Sequence, residues 1–287
     1  MKAARQAAVQ PGNSQTLFHI LETTMPLMKT SNLIKTANPA LGQNTFSSFA
    51  QSQYGGNLVD ASARMTLSGT VNKTGLLLLC AVATAAWTWN AFMKTHDLTV
   101  AGPAIMLGAL GGFVVAMVTV FKKTWSPVTA PIYALLEGLA LGGISVVFEL
   151  RYPGIAMQAV ALTFGTLFVM LLAYKSGLIK VTQKFRMGVV AATGGIMVLY
   201  GIELLLGFFG IQFTTINGAG PIGIAFSLFV VAIAALNLVL DFDFVEQGVA
   251  AGAPKYMEWY AAFGIIVTLV WLYLEILRLL SKLRSRN

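Results

Sequence analysis

Seven long apolar stretches follow one another through the chain after residue 74, separated by short polar connections. Their approximate limits are Gly75 to Phe92, Val100 to Phe121, Val128 to Phe148, Gly154 to Tyr174, Met187 to Phe209, Gly220 to Leu240 and Trp259 to Leu280. Each is close to the roughly 20 residues that a helix needs to cross a hydrocarbon core about 30 Å thick. Most connections hold the charges, prolines and glycines that the stretches lack. A transmembrane barrel would show strands of about ten residues with alternating polarity, and no such alternation occurs. The pattern predicts an all-α membrane bundle of about seven helices over residues 65–287, with the lipid bilayer as its surroundings.

Before residue 65 the pattern is different in kind. Residues 1–64 are rich in Ser, Thr, Asn, Gln and Ala, carry turn-like clusters such as Asn38-Pro39, and have no apolar run long enough to span. A polar, largely disordered tail is expected there. No uninterrupted apolar run follows the first basic residues, so no secretory signal is expected and the first span directs insertion.

Composition agrees with the pattern. The chain is 56% hydrophobic and 10% charged, against about 25% charged for an ordinary globular domain. So few charges cannot cover a water-facing surface. The net charge of +8 does not point to nucleic acid, because the basic residues sit at membrane edges, where anionic lipid attracts each by about 1 kcal/mol. Arg64 and Lys73, then Lys122 and Lys123, then Lys175, Lys180, Lys184 and Arg186 alternate with connections holding only Lys94, only Arg151, or no basic residue. The bias places the N-terminus in the cytoplasm. A full seventh crossing then carries Arg278, Lys282, Arg284 and Arg286 to the opposite side, against the same rule.

Several chemistries drop out. The single cysteine, Cys80, lies in the first span, and the only histidines are His19 and His96. That leaves no disulfide framework, no thiolate cluster and no histidine-based metal centre. No strand precedes a glycine-rich phosphate loop. Neither an enzyme nor a cofactor is expected.

What remains is a set of acids within or beside the spans. Glu137 is in the middle of the third, Glu203 in the outer part of the fifth, Asp241 and Asp243 at the end of the sixth, and Glu275 well inside the last. An ionised carboxylate in the bilayer costs at least about 2.5 kcal/mol, and such groups face the bundle interior and mark ion or proton pathways. Plainer readings stand beside this one. Glu137 precedes Gly138, Gly142 and Ser145, a small-residue face suited to close helix packing. Glu203 is open to either reading. Asp241 and Asp243 can be solvated at a helix end, although Asn237 extends a polar face inward. Glu275 can be neutralised by Arg278 three residues on. As a pathway, the acids suggest cation or proton handling, since carboxylate oxygens are the ligands Ca²⁺ prefers. Two carboxylates brought together cannot both ionise cheaply and titrate as a unit, which makes a pH-sensitive latch.

Three motifs resemble a known family. Ala-Leu-Leu-Glu-Gly-Leu at Ala134 to Leu139, Leu-Asp-Phe-Asp-Phe at Leu240 to Phe244, and Leu-Tyr-Leu-Glu-Ile-Leu at Leu272 to Leu277 resemble the Bax-inhibitor-motif membrane family of the bacterial YccA type. Asn38-Pro39-Ala40-Leu41 and the stretch from Met65 to Gly75 resemble its longer bacterial members, and the resemblance runs from about Lys35 onward. It implies a central last helix wrapped by the other six, a bacterial inner membrane, and a pH-sensitive Ca²⁺ leak sensed by an acidic pair. The first acid of that pair falls on Asp241 or Asp243 and the second on Glu275, where the family usually has Asp. These three are then the candidate transient Ca²⁺ ligands.

Two features fit the family less simply. The connection from Gly248 to Glu258 is long for it. Glu275 lies about sixteen residues past Trp259, or about 24 Å along a helix. That separates it from Asp241 unless the last span starts later, the sixth helix runs deeper, or the final segment bends. Two other classes stay open. One is a regulator or interaction partner of a membrane protease, which a long tail suits. The other is a proton-coupled small-molecule transporter, with Gly220-Pro221-Ile222-Gly223 as a broken helix, although no internal repeat supports it.

Overall fold

The computed structural model describes residues 63–95, 101–210 and 214–286. The expected tail, up to residue 62, lies outside them. Seven long helices follow: α1 (Leu67–Thr95), α2 (Ala101–Phe121), α3 (Ser126–Arg151), α4 (Ile155–Lys175), α5 (Gln183–Gly207), α6 (Pro221–Ala250) and α7 (Met257–Arg286). A 3-10 turn at Lys123–Trp125 enters α3, and a single helical turn at Thr214–Asn217 precedes α6. No strand occurs among the described residues, only an isolated bridge between Arg64 and Pro254. All seven helices are long and apolar enough to cross a membrane, and the protein is a multi-pass helical membrane protein.

Burial identifies the central helix. The most apolar part of α7 is 67% buried inside the protein, against 17–22% for α1, α2, α4 and α5. Tyr260, Ala261, Ala262, Phe263, Leu272 and Leu277 are fully buried along it. It packs against α1, α3, α4 and α6. A helix buried on nearly every side is enclosed by other helices, so α7 is the hub that the family resemblance implies.

On one side of this hub, glycine sets the spacing. A Cβ on Gly138 would run into Thr84 and the Ala81 carbonyl of α1, and one on Gly142 would sit 2.6 Å from the Ala85 carbonyl. A Cβ on Gly108 of α2 would lie 2.6 Å from the Ala140 nitrogen of α3. Only the missing side chain lets these backbones meet, as in other close transmembrane contacts.

The helix ends differ from the limits of the apolar runs. α1 begins at Leu67 rather than Gly75, because its first turns are polar but tied down at the start of α7. α6 continues ten residues past Leu240, since Phe244, Val245 and Gly248 keep a buried face toward the core. It stops where Gly252 takes a left-handed φ of 63°, the usual C-terminal device. Asp241 and Asp243 are therefore nine and seven residues inside the helix rather than at its end. The connection to α7 is correspondingly short, running from Ala251 to Tyr256. α7 is 30 residues long, about 45 Å. Its basic end reaches the α3–α4 turn, where the Arg284 Nη1 donates to the Pro153 carbonyl at 2.6 Å. The last segment thus runs the full length of the bundle.

Candidate functional site

A line of buried and half-buried polar side chains runs between α5, α6 and α7. On α5 it comprises Arg186, Thr193 and Tyr200, and on α7 Thr268, Glu275 and Lys282, each set at intervals of seven residues. Seven residues is nearly two full turns, so each set keeps to one face of its helix. α6 answers with Asp243, Asp241, Asn237 and Ser227. From Asp243 to Ser227 is about 24 Å along a helix, most of a hydrocarbon core.

The contacts proceed in steps from one end of the bundle to the other. Arg186 pairs with the Asp243 carboxylate, whose Oδ2 also accepts from Gln247 at 2.5 Å. The Thr268 hydroxyl donates to Asp241 Oδ2 at 2.5 Å, and Asp241 is fully buried. Asn237 Nδ2 donates to Thr193 Oγ1 at 2.8 Å and to the Ile233 carbonyl at 2.9 Å. Further along, the Tyr200 hydroxyl donates to Glu275 Oε1 at 3.0 Å, and Arg278 lies 3.5 Å from the same oxygen. Arg278 also donates to the Tyr200 hydroxyl at 2.6 Å. At the far end the Lys282 ammonium donates to the Ile216 carbonyl at 2.7 Å, the Gly223 carbonyl at 3.1 Å and Ser227 Oγ at 2.8 Å.

Spare acceptors lie along the same line. Among the described residues, four buried side-chain polar atoms have no hydrogen-bond partner, and three of them are oxygens here: Asn237 Oδ1, Gln247 Oε1 and Glu275 Oε2. A buried acceptor without a donor is costly, and a water or a cation would satisfy each.

The candidate acids are distributed unequally. Asp241, Asp243 and Glu275 line the seam, but in separate steps. Asp241 meets Thr268, whereas Glu275 stands seven residues further along α7, about 10 Å in axial rise. Glu203, on α5 near Tyr200 and Lys282, accepts from Asn217 at the far end. Glu137 is elsewhere, half-buried between α2 and α3, with its carboxylate 2.7 Å from where a Cβ on Gly112 would stand.

The chain matches the Bax inhibitor 1 like family over residues 31–285. It belongs to that family. The match begins within the segment expected as a tail and covers every helix. No curated protein and no solved structure matches the chain. In this Bax inhibitor 1 like protein the acid of the sixth helix faces a threonine, Thr268, and the acid of the last helix is held by Tyr200 and Arg278.

Several participants were hidden from sequence reasoning. Arg186, counted among the loop cations, is buried in α5. Lys282, counted as part of a basic end, is also buried. Thr193, Tyr200 and Thr268 drew no notice as single residues; their seven-residue spacing to Arg186 and Glu275 was the available signal. A third buried acid, Glu258, lies in the first turn of α7. Its Oε1 accepts from the Thr66 amide at 2.9 Å and hydroxyl at 2.8 Å and pairs with Lys255 at 2.9 Å, while its Oε2 pairs with Lys73. Gly69 leaves the room that this carboxylate fills. Much of the Met65 to Gly75 motif is thereby accounted for as a clasp on the start of the central helix.

Proposed function

We propose that this protein is a cation leak pathway, with Ca²⁺ as the cation its oxygen-rich groups suit best, and that protons control it. The observation that carries the proposal is the polar seam along the central helix, in which charged pairs and spare oxygen acceptors are strung across most of the bilayer. Intramembrane ionisable groups are costly and mark conduction routes. Membership of the Bax inhibitor 1 like family supports the same reading. Most polar groups of the seam are bonded to one another, which is the closed form of such a pathway.

The residues divide the work. Asp241, fully buried and held by Thr268, is the cation ligand midway along the seam, with Asn237 one turn away on the same face of α6. Asp243 and Arg186 form a clamp between α6 and α5, with Glu246 and Tyr174 beside it. Glu275, Tyr200 and Arg278 form a second clamp between α7 and α5. Protonating Asp243 removes the charge that holds Arg186, and protonating Glu275 weakens the bond it accepts from Tyr200, so acid loosens α5 from its neighbours. The acidic pair of the family is thus replaced by two acid–arginine clamps flanking one buried acid. The basic connections share the end where α7 starts, which suits a cytoplasmic N-terminus in a bacterial inner membrane.

Cation flux into proteoliposomes tests this. Flux is expected to rise as pH falls from about 8 toward the ordinary carboxylate range near about 4, since protonation frees the arginine that a clamp carboxylate holds. Asp243→Asn imitates the protonated clamp and should leave flux high and flat across that range. Asp241→Asn keeps the shape and the threonine contact but loses the charge, and should cut flux by about tenfold, the worth of one charge-assisted contact. A wild-type protein that passes no cation at any pH contradicts the proposal.

A second reading rests on a different observation. The Met65 amide donates to the Ala253 carbonyl at 2.6 Å and the Lys255 amide to the Ala63 carbonyl at 2.9 Å, so the segment that follows the tail is clipped to the entrance of α7. A regulator whose tail engages a membrane protease would use such a link. Removing residues 1–62 distinguishes the two, since flux should survive and protease regulation should not. Gly220-Pro221 opens α6 rather than interrupting a helix, so the transporter reading keeps no motif of its own.

A further inference from the structure

On the side of α7 away from the seam, α1 and α4 each pack against the central helix and leave a cavity of about 600 Å³ between them. Ile266, Leu269, Val270 and Tyr273 of α7 form its floor. At 3.6 residues per turn, that face is roughly opposite the one bearing Thr268, Glu275 and Lys282. Alanines make the room: Ala81 and Ala85 on the α1 wall and Ala156 on the α4 wall. At the mouth, Val82 is 53% and Met157 74% exposed, so the cavity is continuous with the lipid-facing surface of two membrane-spanning helices.

Ser145, Tyr273 and Glu149, which line the cavity, are already satisfied by the protein. Ser145 Oγ and the Tyr273 hydroxyl bond each other at 2.6 Å. The Glu149 carboxylate accepts from the Gly154 amide at 2.5 Å and the Ala156 amide at 3.1 Å, capping α4. An apolar cavity of this kind stays dry and takes up hydrocarbon, and a void left empty forfeits the packing of its walls. The surroundings at this depth are lipid tails. We propose that this cavity is a binding site for one acyl chain of a membrane lipid, inserted between α1 and α4 as far as α7. The chain fills the space behind the central helix and backs it against α5 and α6.

Photolabelling tests the site without reference to ion flux. The full-length protein in nanodiscs of phosphatidylcholine, carrying a diazirine midway along one acyl chain, is irradiated and its adducts are mapped by mass spectrometry. Adducts are expected on Ile266, Leu269 or Val270, which are otherwise buried, together with Met157 at the mouth. Adducts confined to exposed positions of α1 and α4, with α7 unlabelled, would overturn the proposal. Ala85→Phe obstructs the cavity from the α1 wall and should lower the α7 adducts several-fold while Met157 stays labelled. Because bulk near Gly142 can disturb folding, Val160→Trp offers the same obstruction from the α4 wall. Undiminished α7 labelling in a folded obstructed variant also counts against the site.

Discussion

Between α1 and α3 the contact is backbone against backbone. Gly138 and Gly142 bring α3 so near Ala81 and Ala85 that a methyl group would not fit. Between α5, α6 and α7 the contact is made by charge and hydroxyl: Arg186 on Asp243, Thr268 on Asp241, Tyr200 on Glu275. Both regions are helix packing without water, and small residues alone suffice for the first. Polar groups carry a desolvation cost in the second that close packing does not require. On the proposed function, the difference makes α1–α3 the scaffold and α5–α7 the working half, with α7 shared between them.

The comparison breaks most visibly at the clamp. Arg186→Met leaves the Asp243 carboxylate without its arginine and should destabilise the protein by about 3 kcal/mol, read as thermal unfolding in detergent. Adding Asp243→Asn should restore most of that loss, because the uncompensated charge is then gone. If the double variant is no more stable than the single, the pair is not a clamp. On the scaffold side, Gly138→Leu forces α1 and α3 apart and should cost about 1–3 kcal/mol, as overpacking does. It should leave the pH dependence of flux in its original range. A shifted pH profile would mean that the two halves are not separable. The smallest effect is expected from Glu137→Gln. Its carboxylate lies between α2 and α3, away from the seam, so flux should change by less than about twofold, well under the effect of one charge-assisted contact. A large loss would place a second route beside Gly112.

How far the sequence revealed this molecule follows from the physics of each feature. The seven spans were legible because about 20 apolar residues in a row have few other uses. Their ends were not. Thr66 and the first turns of α1, with Lys73 among them, are polar and precede the first apolar run, and only the distant Glu258 explains why a helix forms there. The stretch from Asp241 to Gln247 reads as a polar exit from the membrane, yet its acids are partnered by α4, α5 and α7. The candidate acids were legible singly, since charge in an apolar run is conspicuous. Their partners were not, because Thr268 and Tyr200 are ordinary residues in a transmembrane helix until tertiary packing brings them to a carboxylate. The family resemblance gives Glu275 the pairing role, whereas the residue facing Asp241 is Thr268, seven positions earlier.

Thiol blocking at the middle of the seam tests most directly whether it is the route. With Cys80 replaced by Ser, Thr193→Cys puts one thiol beside Asn237, and a small cationic methanethiosulfonate reagent is added during flux. The account predicts that modification at position 193 stops cation flux, and that modification of Ile132→Cys on the exposed face of α3 does not. Full modification at 193, confirmed by mass, with flux unchanged would contradict it.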